Sequence, residues 1–202
     1  MVNTNDAYPD GKVARSRDGE RRARLVEAAV DHVAAHGIAD LSLRSLGAAI
    51  GVSHRMLIHY FGSKEQLFVE IVRTSERRQR DLLSRLQLEP GLAPSDVALL
   101  LWQRLTDPGL ADQERLFFEI CGQALRGRPE YAPLIEGLVT DWLEPLMAAE
   151  VAAGANPAVA RNRARLGLAT VRGLLLDLLA TGDRAGVDAA MEEFLRLFYD
   201  AE

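Results

Sequence analysis

Residues 41–66 read LSLRSLGAAIGVSHRMLIHYFGSKEQ, and the order of caps, glycines and apolar residues in this stretch decides the fold. Ser42 stands where a helix N-cap belongs, and Leu43, Leu46 and Ile50 recur behind it at helical spacing. Gly51 ends that short helix. Ser53 caps the next one, whose inward residues are Val52, Leu57 and Phe61, and Gly62 breaks it. Ser63 to Gln66 then has the spacing of a capping box that opens a longer helix. A helix, a tight glycine turn and a second short helix make a helix-turn-helix pattern. Gly47 would let the two helices approach closely.

The outer face of the second short helix carries His54, Arg55, Ile58 and His59. Nothing among these would stabilise a core. Arginine reads guanine through a two-pronged major-groove contact, histidine donates or accepts, and isoleucine can meet a thymine methyl. Tyr60 and Lys64, at the helix end and at the start of the next, are placed to hold phosphate, and the free amides of the fourth helix would help Lys64. A solvated face looks similar, and spacing alone leaves both readings open.

Upstream, a first helix is expected from about Gly19 to His36, with Leu25, Ala28, Ala29 and Val33 on one face and Gly37 as its left-handed cap. Residues 1–18 are polar, contain Pro9 and Gly11, and read as a disordered arm. Downstream, about five more helices are separated at EPGLAPS, DPG, GRPE, GANP and TGDRAG, each holding glycine or proline where a helix should stop. No segment alternates as a strand would. The expected fold is all-α with about nine helices: an arm (1–18), a helix-turn-helix head (19–66) and a helical ligand-sensing and dimerisation body (67–202).

Net charge is −5, yet it is unevenly spread. Residues 1–80 hold 13 Lys+Arg against 10 Asp+Glu, and the remainder 11 against 19. A mildly basic head on an acidic body directs one end toward phosphates. The single cysteine, Cys121, rules out an internal disulfide framework and fits a reducing compartment. The polar N-terminus lacks the apolar core of a signal peptide, and Arg172 and Asp177 interrupt the most apolar run, Leu166 to Thr181. A cytoplasmic location without a membrane span is expected.

The segment LSLRSLGAAIGVSHRMLIHYFGSKEQLF, with its AHG-terminated preceding helix, resembles the DNA-binding segment of the tetracycline-repressor (TetR) family of transcriptional regulators. The likeness covers about Arg22 to Val72. It rests on the serine opening the second helix, GVS at the turn, and YF followed by Ser-Lys-Glu. It implies that His54, Arg55, Met56 and His59 face bases or nearby backbone, and that Ser42, Arg44, Tyr60 and Lys64 hold phosphate. The chain departs from the family at Arg55, where small residues are common, and at Ile58, where tyrosine is common, so the operator sequence cannot be borrowed from relatives.

Helix-turn-helix proteins usually bind as dimers, because one short helix buries too little surface for tight binding. The last two helices offer apolar stripes, with Leu168, Val171, Leu175 and Leu178 on one and Met191, Phe194, Leu195 and Phe198 on the other. Two such pairs would form a four-helix bundle, as in relatives, although the same stripes could complete a monomer core. In relatives the middle helices enclose an inducer pocket. Candidates here are Trp102, Phe117, Glu119, Cys121, Gln123, Leu138, Asp141 and Trp142, with Pro145 kinking its helix. The implied partners are a palindromic double-stranded DNA operator, a largely apolar small molecule and a second copy of the chain. The implied function is a regulator, most readily a repressor released by its ligand, with a ligand-responsive activator or a helical protein-interaction module as alternatives.

No catalytic residue and no cofactor is expected. Cys121 lies in an apolar helix, far in sequence from all four histidines, and no phosphate-cradling glycine loop occurs. His32 and His36 have metal-ligand spacing but lack further ligands nearby, so no metal is expected either.

Overall fold

The computed structural model describes residues 10–37, 41–152 and 154–199. Within them the chain is helical without strands: α1 (Asp10–His36), α2 (Leu43–Ala49), α3 (His54–Phe61), α4 (Lys64–Gln87), α5 (Pro94–Leu105), α6 (Ala111–Leu125), α7 (Ala132–Ile135), α8 (Thr140–Ala152), α9 (Pro157–Thr181) and α10 (Arg184–Tyr199). Nine of these have seven residues or more, and α7 is a four-residue turn of helix.

The stops are chemical. Pro94 and Pro157 sit in the first turns of α5 and α9, where a missing amide costs nothing. Gly182 closes α9 in the left-handed region at φ +72°. Gly37 does the same for α1 at φ +75°, its amide donating to the Val33 carbonyl at 2.9 Å.

α1 begins nine residues before the expected start, so residues 10–18 of the expected arm are helical, while residues 1–9 lie outside the described chain. No proline falls between residues 10 and 36 to stop the helix.

Helices α1 to α4 share a core of Leu25, Ala29, Val33, Leu46, Leu57, Phe61, Leu67 and Ile71. That core runs on into α6 through Leu116, Phe117, Ile120 and Cys121, so the head rests on the body without a break in packing. Two further clusters fill the body. One gathers Leu83, Leu101, Leu105, Trp142 and Leu168; the other gathers Trp102, Leu175, Val187, Met191 and Leu195. On the flank, Arg78 of α4 is paired with Glu27 and Asp31 of α1, tying the two long helices side by side.

Gly47 has the role expected of it. A Cβ there would stand 2.7 Å from the Val52 carbonyl oxygen, a backbone atom of the turn that cannot swing away. The Val52 amide donates back to the Gly47 carbonyl at 2.8 Å, which fixes that close approach. Gly47→Ala should therefore destabilise the fold by about 1–3 kcal/mol through overpacking, outweighing a helix-propensity gain of about 1 kcal/mol. A lowered urea midpoint at unchanged slope is the expected result.

Candidate nucleic-acid interface and body cavity

α3 is pinned from behind and open in front. Ser53 caps it, its Oγ accepting from the Met56 amide at 3.2 Å. Leu57 is 0% exposed and Phe61 is likewise buried, which fixes the helix rotation. That rotation turns His54, Arg55, Ile58 and His59 to solvent.

Met56 is half-buried, and its Sδ accepts from the Arg21 guanidinium at 3.5 Å. The His59 and Tyr60 rings meet edge to face at 5.0 Å. Tyr60 is half-buried, with its hydroxyl donating to Asp18 at 3.3 Å.

The flanking residues surround α3. Ser42 and Ser45 cap α2 reciprocally, each side chain accepting from the other's backbone amide at 3.0 and 2.9 Å. Ser42 and Arg44 are exposed at the start of α2. Lys64 is exposed in the first turn of α4, its ammonium 5.0 Å from the centre of the Phe68 ring. A cation there opposes the helix dipole, so fold stability does not explain it. Residues 41–64 include Arg44, Arg55 and Lys64 and no carboxylate.

Two α1 arginines were missed by sequence reading. Arg21 touches α3 at Met56. Arg22 donates to the Tyr60 carbonyl at 3.4 Å and to Glu70 at 3.2 Å, and lies over the Phe61 ring, clamping the C-terminus of α3. The run ERRAR in α1 was the available signal, but it reads as a solvated face until α3 is placed against it.

In the body, the pocket candidates scatter. Phe117 and Trp142 do line a cavity of about 50 Å³ between α4, α5, α6, α8 and α9. Glu119 is exposed on α6, and Gln123 is half-buried. Asp141 is exposed and pairs with Arg80 at 3.9 Å; it lines a separate surface cleft with Leu138. Cys121 is buried in the head-side core, which pushes its thiol up to about 11. Trp102 packs on Met191 and Leu195 and donates to Asp188 at 2.8 Å.

Among its apolar walls the cavity also holds a polar cluster. Glu76 of α4 accepts from Trp142 Nε1 at 2.7 Å and from Arg172 at 2.9 Å, and Gln79 donates to Glu114 at 2.9 Å. Sequence reading missed Glu76, Gln79, Glu114 and Arg172, because TSERRQR in α4 looks solvent-facing and its partners lie far along the chain.

The dimer candidates divide by burial within this chain. Leu168, Leu175, Met191 and Leu195 are buried inside this chain's own core, and Val171, Leu178, Phe194 and Phe198 are half-buried. α9 is apolar nearly all round, so periodicity could not say which side faced inward. The outward side carries Leu166 (57% exposed), Ala169, Gly173 and Leu176 (51% exposed), and α10 adds Leu197. In α1, the His32 and His36 rings stack at 4.5 Å, and His36 Nδ1 lies 3.2 Å from the His32 carbonyl oxygen, a local arrangement of the last turn.

Burial first, and then the nearby Glu76 carboxylate, push Glu114 up to about 8. The folded chain thus keeps a proton that the unfolded chain releases in the ordinary carboxyl range. The associated stability is complete below that range and is lost as pH rises through about 8. Glu114→Gln, a neutral stand-in for the protonated acid, should leave stability nearly unchanged at acid pH. It should raise the urea midpoint increasingly as pH climbs toward 8. A difference that stays flat with pH would refute the burial argument.

The chain's likenesses fall in two sets. Residues 25–71 match the description of bacterial regulatory proteins of the tetR family. The HTH-type transcriptional regulator YdgC of Bacillus subtilis is 32% identical over 84 residues, 42% of this chain and 43% of that protein. BetI of Agrobacterium fabrum, also an HTH-type transcriptional regulator, is 38% identical over 60 residues, 30% of this chain and 29% of its own length. These matches span less than half of either relative. Over nearly the full length, a transcriptional regulator from Rhodococcus sp. Rha1 shares the fold at TM-score 0.65 and 24% identity, covering 89% of this chain and 96% of that one. The multidrug binding protein EbrR, complexed with imidazole, superposes at TM-score 0.58 and 26% identity over 98% and 97% of the two chains. The capped, outward-facing α3 lies within residues 25–71, the segment that matches the tetR family of bacterial regulatory proteins.

Proposed function

We propose that the protein is a sequence-specific, double-stranded-DNA-binding transcriptional regulator. It acts in the cytoplasm as a homodimeric repressor that a small molecule releases from a palindromic operator. The observation that carries this reading is the exposure of His54, Arg55 and His59 on a helix locked from behind by Leu57 and Phe61, within a segment, residues 41–64, that has no carboxylate. His54, Arg55, Met56 and His59 face the bases, while Ser42, Arg44, Tyr60, Lys64 and the added Arg21 hold phosphate.

In this reading residues 19–66 form the reader and residues 67–202 the sensor and clasp, with α4 crossing between them. The outward side of α9, with Leu166, Gly173 and Leu176, joins Leu197 in the contact between copies. Such a dimer would hold two α3 helices about 34–36 Å apart, one turn of duplex. A ligand in the body that shifts α4 would spoil that spacing. A coupling of about 1–3 kcal/mol weakens operator binding several-fold to about a hundredfold. EbrR, complexed in solved structures with imidazole and with proflavin, supports a small-molecule site in a body of this shape.

Selection on random duplex DNA should return a palindromic site. Arg55→Ala should relax one base position per half-site at a cost of about 1–3 kcal/mol. A uniform loss with preference intact would make Arg55 a phosphate contact, and no selectable site at all would overturn the DNA reading. Leu176→Arg should shift sedimentation from dimer to monomer and flatten operator binding. A dimer that survives it would move the contact away from α9.

A further inference from the structure

Two cavities lie side by side in the body. The outer one, about 210 Å³, opens beside Arg115 and Arg184 and is walled by Leu178 and Leu179. The inner one, about 50 Å³, ends against Phe117, Trp142 and Leu146. Leu105, Glu114 and Leu175 line both, so the Glu114 side chain stands between the two. Glu114 is itself 3% exposed.

The charges lining the inner cavity do not balance. Glu76 and Glu114 are two carboxyl groups, and Arg172 is the one cation lining the inner cavity. Arg172 is committed to Glu76 at 2.9 Å and lies over the Phe117 ring. Among the described residues Glu114 receives a single neutral donor, Gln79 Nε2. At the mouth the cations are also engaged. Arg115 pairs with Asp112 at 2.7 Å, and Arg184 is bonded to Asp188 and to the Thr106 carbonyl oxygen; Asp107 beside them is bridged by Arg104. With both carboxyls ionised, the buried cluster would be one positive charge short, and an uncompensated buried charge is costly.

We propose that the two cavities join around Glu114 as one channel that takes an amphipathic organic cation, an apolar aromatic body bearing a protonated amine, whose ammonium pairs with the Glu114 carboxylate. The apolar body fits walls of Leu105, Leu175, Phe117 and Trp142. The proposal rests on the reading that the body holds a small-molecule effector, and it names that effector's charge class. In the empty protein Glu114 is a neutral acid. On binding, the Glu114 O–H bond breaks, its proton leaves to solvent, and the carboxylate accepts from the ammonium. No other bond changes. Because Glu76 and Gln79 belong to α4, a cation that draws Glu114 away from Gln79 alters the contacts of the helix that carries the reader.

Calorimetry on the full chain with three probes of one shape tests this: 1-naphthylmethylamine, 1-naphthylmethanol and 1-naphthoate. The amine should bind about tenfold or more tighter than the alcohol near neutral pH, since a charge-assisted bond replaces a neutral one. Buffers of different ionisation enthalpy should show about one proton released per amine bound. With the amine protonated throughout, its affinity should rise about tenfold per pH unit from about pH 6 to about pH 7.5, and that of the alcohol should stay flat. Glu114→Gln should abolish both the preference and the proton release while its urea midpoint shows an intact fold.

Equal or tighter binding of the alcohol or the naphthoate would overturn the cation assignment. So would amine binding insensitive to Glu114→Gln, or no binding by any probe. Operator release separates the two readings. If the naphthoate releases operator DNA, ligand induction stands and the charge class is wrong. If the amine binds with proton release yet leaves operator affinity unchanged, the site stands and induction through it fails.

Discussion

Leu67, Ile71 and Val72 are buried in the core beneath the recognition helix, Glu76, Gln79 and Leu83 are buried in the body, and all six belong to one uninterrupted helix. At 24 residues, α4 spans about 36 Å. A helix of that length held by packing on both halves behaves as a beam. It cannot shift in the body without moving Leu67 and Ile71 against Leu57 and Phe61, and so re-aiming α3. The pairing of Arg78 with Glu27 and Asp31 ties α1 to the same beam. Close packing makes such a joint two-state, because a dense core has discrete arrangements and few intermediate ones.

The buried stretch of α4 in the body is polar where a helix built only for stability would be leucine-rich. Glu76 is compensated twice, by Arg172 from α9 and by Trp142 from α8, so α4 is tied to two helices through one carboxylate. In a low-dielectric interior these bonds are strong when complete and expensive when broken. Replacing such a cluster with apolar residues is often neutral or stabilising, so stability alone does not account for it. Its position along α4 fits a part that senses charge.

Much of this was legible in the sequence because the signals were local. Ser42, Ser53, Gly37, Gly51 and Gly182 act on neighbours within four residues, and each lies at the expected helix end. Leu57 and Phe61 announce the inward side of α3, and the outward residues follow by rotation. The early start of α1 was hidden because a charged stretch beside a proline reads as disorder. The face of α9 was hidden for the opposite reason: with leucines all round, the helix states that it is buried without stating against what. The polar cluster was least legible, since Glu76 finds its partners 66 and 96 residues downstream.

The distribution of likeness along the chain has the same cause. Curated relatives match over 53 to 84 residues, whereas solved structures follow 86% or more of the chain at 16–26% identity. A duplex has fixed groove width and pitch, so a helix that enters it needs particular caps, a particular turn and a particular rotation. In the proposed DNA reading, Ser53, Leu57, Phe61 and Gly62 meet those requirements. The body answers only to the need for helices around a space, which many apolar sequences satisfy. Shared fold therefore carries the architecture of the sensor but not its chemistry. The chemistry of that space must be read from the side chains that line it, and around the inner cavity those include two acids, one guanidinium and an aromatic wall.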